Sequence, residues 1–331
     1  MKVLITGGSG FLGRVTARLM RKAGYDVTIL CRGDYRFLAD EGFTVIRGDI
    51  CDRNFLLNAF NGYDEVQHIA SLTGISTVKT SFYKINVEGT RNVIDACLKN
   101  RVRKLVYTSS PSVVFDGTSD EMADESASYP GIFLNPYSET KAEAEKMVLD
   151  ENDFGNLLTV SLRPHLIWGP EDTNLIPRLL ERALKGRLFI VGNGKNYADL
   201  TYVENAALAQ LKASESLKEG SLVCGKAYFI TNDEPVLLWE FINRILEGTG
   251  LEKVKRHLPF KSAYMFGAGL ESVCSLLKIS REPVMTRFLA SQLATTHTYS
   301  IAKAKNELGY IPKVSMDEGL DYLFTYLKQL N

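Results

Sequence analysis

The chain lacks what would tie it to metal chemistry, to disulfides or to a charged polymer. Its 331 residues include only five cysteines and four histidines. Cys31, Cys51, Cys97, Cys224 and Cys274 are scattered, odd in number and free of metal-type spacing. That pattern argues against a disulfide framework and for a reducing, cytoplasmic setting. His68 and His165 have no partners at ligand spacing, so no metal is expected. Basic and acidic residues number 39 each. A zero net charge offers nothing for nucleic acid, or for an anionic membrane as the main partner. No apolar run reaches about 18 residues, so no spanning helix is expected. The first residues read as a strand rather than a leader peptide. Repeats and low-complexity tracts are absent.

What is present is an alternation of strands and helices. Strands are predicted at Lys2–Thr6, Asp26–Cys31, Phe43–Arg47, Glu65–Ile69, Lys104–Thr108 and Leu157–Leu162. Helices are predicted at Phe11–Ala23, Asn54–Phe60, Val78–Lys99 and Tyr137–Asp150. Apolar strands alternating with helices imply an α/β fold with a parallel sheet covered on both faces, the doubly wound arrangement. After Pro164 the rhythm changes, and from about 232 the chain reads as mostly helical. The expected division gives residues 1–167, with about 198–223, to a Rossmann-type dinucleotide-binding domain. About 168–197 and 224–331 form a smaller, mostly helical C-terminal substrate-binding part.

The first strand runs into Gly7-Gly-Ser9-Gly10-Phe11-Leu12-Gly13. Gly7 would permit the turn, Gly10 the approach of a pyrophosphate, and Gly13 close packing of helix on strand. The helix that follows points free N–H groups at an anion. Further on, Tyr137 and Lys141 fall at i and i+4 of a predicted helix, on one face. A free phenol has a pKa of about 10, so acting near pH 7 requires roughly 4 kcal/mol. One ammonium at ~4 Å supplies about that much at an effective dielectric of ~20. Alone, such a pair reads as an exposed helix pair. Thr108-Ser109-Ser110 at the end of a predicted strand changes that reading, because ligands bind at strand C-termini in such sheets. A serine hydroxyl there would hold a carbonyl or alkoxide oxygen, or else cap a turn.

Together Gly7-x-x-Gly10-x-x-Gly13, Ser110, Tyr137 and Lys141 resemble the extended short-chain dehydrogenase/reductase family. The resemblance covers nearly the whole chain. It includes Gly48-Asp49-Ile50, His68-Ile69-Ala70-Ser71, Asn86-Val87-x-Gly89-Thr90-x-Asn92 and Leu162-Arg163-Pro164. It implies that Ser110 orients the substrate oxygen, a role Ser109 could share. It implies that Tyr137 exchanges the proton and that Lys141 lowers its pKa and holds the nicotinamide ribose. Asp49 and Ile50 would flank the adenine, Ala70 and Ser71 would line the cofactor trough, and Pro164 would sit near the nicotinamide. His165 would face cofactor or substrate, and His68 would be structural. The family's usual homodimer would bury the helices at 78–99 and 137–150.

NAD-preferring relatives carry an acid at the end of the second strand. Here Cys31 and Arg32 stand there, with Asp34 and Arg36 close by. Arg32 would pair with a 2′-phosphate, so NADP is favoured, while Asp34 leaves NAD open. Sugar-nucleotide epimerases and dehydratases of the family typically have Asn where this chain has Leu166, and Arg-Asp where it has Ala198-Asp199. A pyrophosphate would be poorly held without those anchors. The chain is closer to the 3β-hydroxysteroid and sterol-carboxylate dehydrogenase branch and to bacterial 2-alkyl-3-oxoalkanoate reductases. The stretches that carry this are Tyr107–Phe115, Asp199–Asn205, Glu282–Thr295 and Leu308–Pro312. They imply an apolar alcohol or ketone substrate. The alternatives are a sugar-nucleotide epimerase or dehydratase, and a cofactor-sensing protein without chemistry. Finally, Tyr264, Met265, Phe266, Leu270, Val273, Leu276 and Leu277 make an apolar helical stripe within Phe260–Ile279. Core packing is its favoured reading; a lid over the site or a peripheral membrane contact are the others.

Overall fold

The computed structural model describes every residue except 76, 77, 278, 280, 281 and 331. Its centre is a seven-stranded, wholly parallel sheet. In chain order the strands are β1 (Lys2–Thr6), β2 (Asp26–Cys31), β3 (Thr44–Arg47), β4 (Glu65–His68), β5 (Lys104–Thr108), β6 (Leu158–Pro164) and β7 (Lys226–Ile230). Across the sheet they run 7-6-5-4-1-2-3. The order reverses between β1 and β4, which makes the doubly wound switch point where such sheets open a crevice at their C-terminal edge. Val3, Leu4 and Ile5 are fully buried, as expected for a central strand covered on both faces.

β7 corrects the sequence reading. It lies within the 224–331 range expected to belong to the substrate part, yet it pairs in parallel with β6 and joins the large sheet. Its partner stands more than 60 residues earlier in the chain, so no local pattern announces the pairing. A second departure is the helix expected over Val78–Lys99. It runs as Lys79–Phe82, a wider π-type stretch Tyr83–Glu88, then Gly89–Asn100. π-bulges of this kind gather at functional sites.

Local chemistry sets the two helices that matter most. Phe11–Lys22 starts at Gly10 with neither a capping side chain nor an acid in its first turn, and ends before Gly24, whose φ of +89° suits a helix terminator. Pro136–Asp150 has Asn135 as cap, its side chain accepting from the Ser138 N–H at 2.7 Å, and Pro136 in its first turn.

The smaller part packs Leu175–Leu184, Leu238–Gly248, Arg287–Ala294 and Met316–Leu330 around one apolar cluster centred on Trp168, Trp239 and Phe241. The stripe in Phe260–Leu276 does not behave as core packing. Only Ala263, Gly267 and Cys274 of that helix are buried, and Met265, Phe266, Val273 and Leu276 face outward. Gly267 is what lets the helix lie down so closely, since a Cβ there would stand 2.6 Å from the Thr286 carbonyl carbon. Among the described residues, no helix is long and apolar enough to cross a membrane.

Candidate active site

A cavity of about 720 Å³ opens along the C-terminal edge of the sheet and continues between the helices of the smaller part. Its first wall is the glycine turn. Gly7 has φ +72°, and a Cβ on it would lie 2.7 Å from the Ala70 backbone. A Cβ on Gly13 would lie 2.2 Å from the Gly7 carbonyl oxygen, so only glycine lets the helix close onto β1. Gly10 differs. A Cβ there meets only the Gly7 oxygen, at 3.3 Å, so protein packing alone explains this glycine least. Its bareness leaves the backbone open to a ligand. The uncapped helix start, the bare Gly10 and the cavity beside them fit a dinucleotide pyrophosphate.

Ser9, Phe11, Leu12, Arg32, Asp49, Ile50, Ala70, Ser71, Pro164 and His165 line the same cavity, as do Ser110 and Tyr137. Lys141 is the one named site residue outside the lining. Arg32 is exposed at the cavity edge, whereas the Asp34 carboxylate turns to the Arg36 guanidinium at 3.9 Å, and neither Asp34 nor Arg36 reaches the lining. Asp49 accepts from the Cys51 N–H at 2.9 Å, which fixes the loop after β3.

Ser110 caps a short 3-10 turn, Pro111–Val113, its Oγ accepting from the Ser112 N–H at 3.2 Å. That bond occupies an acceptor lone pair and leaves the hydroxyl proton free to be aimed. The hydroxyl lies beside the Tyr137 phenol and draws its pKa down, while burial, the larger effect, pushes it up. Ser109 is buried and also lines the cavity, and its hydroxyl pulls the Glu145 pKa down. Of the two serines, Ser110 is the one that acts on the phenol.

Lys141 is anchored to the end of β5. Its amine donates to the Thr108 carbonyl at 2.5 Å and stands 4.1 Å from the centre of the Tyr107 ring. Burial pulls its pKa down to about 7, against an opposing pull from Glu145. Tyr137 itself is shifted upward by burial, with the Ser110 hydroxyl pulling the other way. Desolvation that should strengthen the Coulomb term also removes part of the charge that produces it.

Behind the lysine, Glu145 forms a buried ion pair with Arg163 at 2.6 Å and accepts from Tyr129 at 2.7 Å and Ser161 at 2.8 Å. Arg163, part of the Leu162-Arg163-Pro164 motif, therefore holds the helix of Tyr137 and Lys141 to β6 rather than reaching the cavity. His68 is structural. It is fully buried, with Nδ1 at 2.8 Å from Thr6 Oγ1 and Nε2 at 2.9 Å from Thr90 Oγ1, and burial drives its pKa down to about 3. His165 lines the cavity but its Nδ1 bonds the Asp199 carbonyl at 2.6 Å, and burial keeps the ring neutral.

Asn86 is a residue whose work the motif letters did not reveal. Its side chain accepts from Leu72 N at 2.7 Å, donates to Leu72 O at 3.0 Å and donates to Thr140 Oγ1 at 3.2 Å. It ties the loop after Ser71 to the helix of Tyr137, from inside the π-type stretch. The substrate half was missed residue by residue. Leu166, Trp239, Ile242, Phe288, Leu289 and Gln292 come from three separate segments, and only their meeting makes a wall. Among the described residues, no cluster could hold a metal ion.

Comparison with known proteins decides the family. The profile described as the 3-beta hydroxysteroid dehydrogenase/isomerase family matches residues 4–260. This chain belongs to that family. A 2-alkyl-3-oxoalkanoate reductase of Stenotrophomonas maltophilia is 45% identical over 322 residues, 97% of each chain. The human sterol-4-alpha-carboxylate 3-dehydrogenase, decarboxylating, is 38% identical over 326 residues, 96% of this chain and 86% of its own. Among solved structures, a UDP-glucose 4-epimerase of Thermus thermophilus, in complex with NAD, superposes with a TM-score of 0.75 at 22% identity, covering 99% of both chains. At that identity the likeness speaks for the fold.

Proposed function

We propose that this protein is an NAD(P)-dependent oxidoreductase that interconverts a ketone and a secondary alcohol on an apolar substrate, with NADPH as the favoured reductant. The observation that carries the reading is the Ser110 hydroxyl beside the Tyr137 phenol, at the junction of a glycine-turn half and an apolar half of one cavity. The substrate class we favour is a 2-alkyl-3-oxo acid or a 3β-hydroxysteroid-like alcohol. The two relatives reported above, whose names carry these chemistries, support it. Leu166 and the buried Ala198 give a pyrophosphate no polar anchor at those two positions, which supports an apolar substrate over a sugar nucleotide, and Arg178, Arg182 and Arg187 of the lining suit the carboxylate of an oxo acid.

In the direction of reduction, Ser110 donates a hydrogen bond from its hydroxyl to the substrate carbonyl oxygen and keeps its proton. Tyr137, a phenol held protonated by burial, gives its proton to that oxygen as negative charge develops. Lys141 then meets a phenolate, which raises the lysine pKa and restores its charge where it is needed. The Thr108 carbonyl keeps the amine from swinging away. A bound NADPH would supply the hydride. Gly7, Gly10 and Gly13 would seat its pyrophosphate, Asp49 and Ile50 its adenine, and Arg32 its 2′-phosphate. Ala70, Ser71, Pro164 and His165 would line the trough. Asp34, turned toward Arg36, supports the NADPH preference over NADH.

We further infer a homodimer through the helices at 79–100 and 136–150. They pack side by side, joined at the surface by Lys79 and Glu139 at 2.7 Å, and sedimentation at micromolar protein tests this. The five cysteines are all unpaired, which supports a reducing, cytoplasmic compartment. The functional test follows absorbance as the protein meets a long-chain 2-alkyl-3-oxo acid with NADPH or with NADH. Consumption of NADPH, and little of NADH, is the expected result. Turnover with neither, together with thermal stabilisation by UDP-sugars, would overturn the reading.

A further inference from the structure

The outward face of Phe260–Leu276 carries an unusual load. Met265 is 73% exposed, Phe266 55%, Val273 49%, Leu276 82%, and the adjoining Leu277 64%. These positions fall on one side of the helix, separated by Ser262, Gly269 and Ser272. The helix has one acid, Glu271, and it is turned inward onto Arg287 at 2.7 Å. A contiguous apolar face of this kind marks an interaction surface.

The surroundings say what it faces. Residues 175–190 hold four cations and one acid, and residues 253–277 hold four cations and one acid. The whole chain is neutral, so these two stretches concentrate positive charge against an acidic remainder. The fold lays them side by side, because Ile190 pairs with His257 and Val191 with Leu258 in a two-stranded parallel sheet. That pairing sets Arg187 beside the Lys255–Arg256 stretch, just ahead of Lys261 on the helix. Among the described residues, none of these four pairs with a carboxylate. Glu181, the acid of the first stretch, is taken by Lys185.

The face is one chain layer from the cavity. Met285 lines the cavity, its neighbour Val284 accepts from the Arg182 guanidinium at 3.3 Å, and its other neighbour Thr286 packs on Gly267 of the helix. Arg182 and Arg187 line the same cavity.

We propose that the outer face of Phe260–Leu276, with the basic rim of Arg187, Lys255, Arg256 and Lys261, docks this protein onto an anionic lipid bilayer surface. The apolar side chains enter the acyl boundary and the rim meets the headgroups, in the manner of an interfacial helix. The neutral total charge conceals this surface, because attraction depends on the local field within about 8 Å at physiological salt. The cavity edge at Met285 would then stand near the bilayer, where an apolar substrate is concentrated.

The test is vesicle flotation of the full chain, which needs no turnover and so stands apart from the oxidoreductase reading. Vesicles are phosphatidylcholine alone, or an equal mixture with phosphatidylglycerol. The wild type is expected to float with the mixed vesicles, weakly with phosphatidylcholine alone, and less as salt rises. Met265→Ser/Phe266→Ser and Lys255→Glu/Lys261→Glu should each reduce binding about tenfold or more. Unchanged melting temperatures and unchanged turnover of a short, soluble ketone would show that both variants fold. Wild-type protein that stays with neither vesicle, or variants that float like wild type, would overturn the proposal. So would a wild-type dimer that Met265→Ser/Phe266→Ser converts to monomer, which would assign the face to a second copy of this chain.

Discussion

The two halves of the cavity are built in opposite ways. The glycine half is made of backbone within one short stretch, where Gly7, Gly10 and Gly13 act by having no side chain. The substrate half is made of side chains from segments more than 100 residues apart, such as Leu166 and Leu289. The first is specified locally and therefore tolerates little change in its own letters. The second is specified by assembly, so any one residue counts for less while their sum sets what fits. Tyr137 and Ser110 stand at the seam, and the comparison is sharpest when each side is broken in turn.

The largest effect is expected at the seam. Tyr137→Phe removes the proton donor and should lower turnover about 10²–10⁴-fold. Cofactor affinity, measured by fluorescence titration, should stay within about twofold, because the phenol hydroxyl is absent from the glycine half. Next comes Lys141, whose burial moves its pKa from 10.5 down to about 7. Between those values the unfolded chain binds more protons than the folded one. The lysine's penalty to stability is therefore fully present below pH 7 and fades as pH rises toward 10.5. Lys141→Met should be inactive yet more stable than wild type, by at most roughly 4 kcal/mol near pH 7. Melting curves of both proteins should converge toward about pH 10, and a gap that does not change with pH would contradict the assignment.

On the glycine side, Gly13→Ala would place a Cβ 2.2 Å from the Gly7 oxygen. Overpacking of this kind costs about 1–3 kcal/mol, and here it should appear mainly as weakened cofactor binding in calorimetry. Arg32→Ala should weaken NADPH about tenfold or somewhat more while leaving NADH unchanged, as expected for loss of charge-assisted hydrogen bonds. Loss of both affinities together would count against the 2′-phosphate assignment.

The smallest effect is expected on the assembled side. Leu166 lines the cavity with a φ of +40°, a conformation that leucine adopts at a penalty of about 1–2 kcal/mol and asparagine more easily. Leu166→Asn should therefore leave the melting temperature level or slightly raised while raising KM for an apolar ketone several-fold. Unchanged KM would show that this wall is more redundant than the comparison holds.

The same contrast explains what could be read from the letters. β1, β2 and β5 match the expected bounds, and the glycine turn, Ser110, Tyr137 and the strip from Asp49 to Ser71 meet in one cavity. These are short-range patterns in which a turn, a strand end and a helix start follow one another. β7 escaped because its place depends on a distant partner, and Asn86 because its value lies in reaching the Leu72 backbone and Thr140 at once. The outward stripe of Phe260–Leu276 misled for a related reason. Apolar periodicity says that a face exists, and only packing says whether another element covers it. Burial of the lysine was likewise invisible in the letters, because the depth of its amine depends on how the helix packs on β5.

The central claim is that Tyr137 serves a hydride transfer onto a ketone held in the assembled half. The most direct measurement gives wild type and Tyr137→Phe a long-chain 2-alkyl-3-oxo acid with NADPH deuterated at both positions of the nicotinamide C4, then analyses the product by mass spectrometry. The account requires a 3-hydroxy product carrying one deuterium on its carbinol carbon from the wild type, and almost none from the variant. An undeuterated alcohol, or equal product from both proteins, would contradict it.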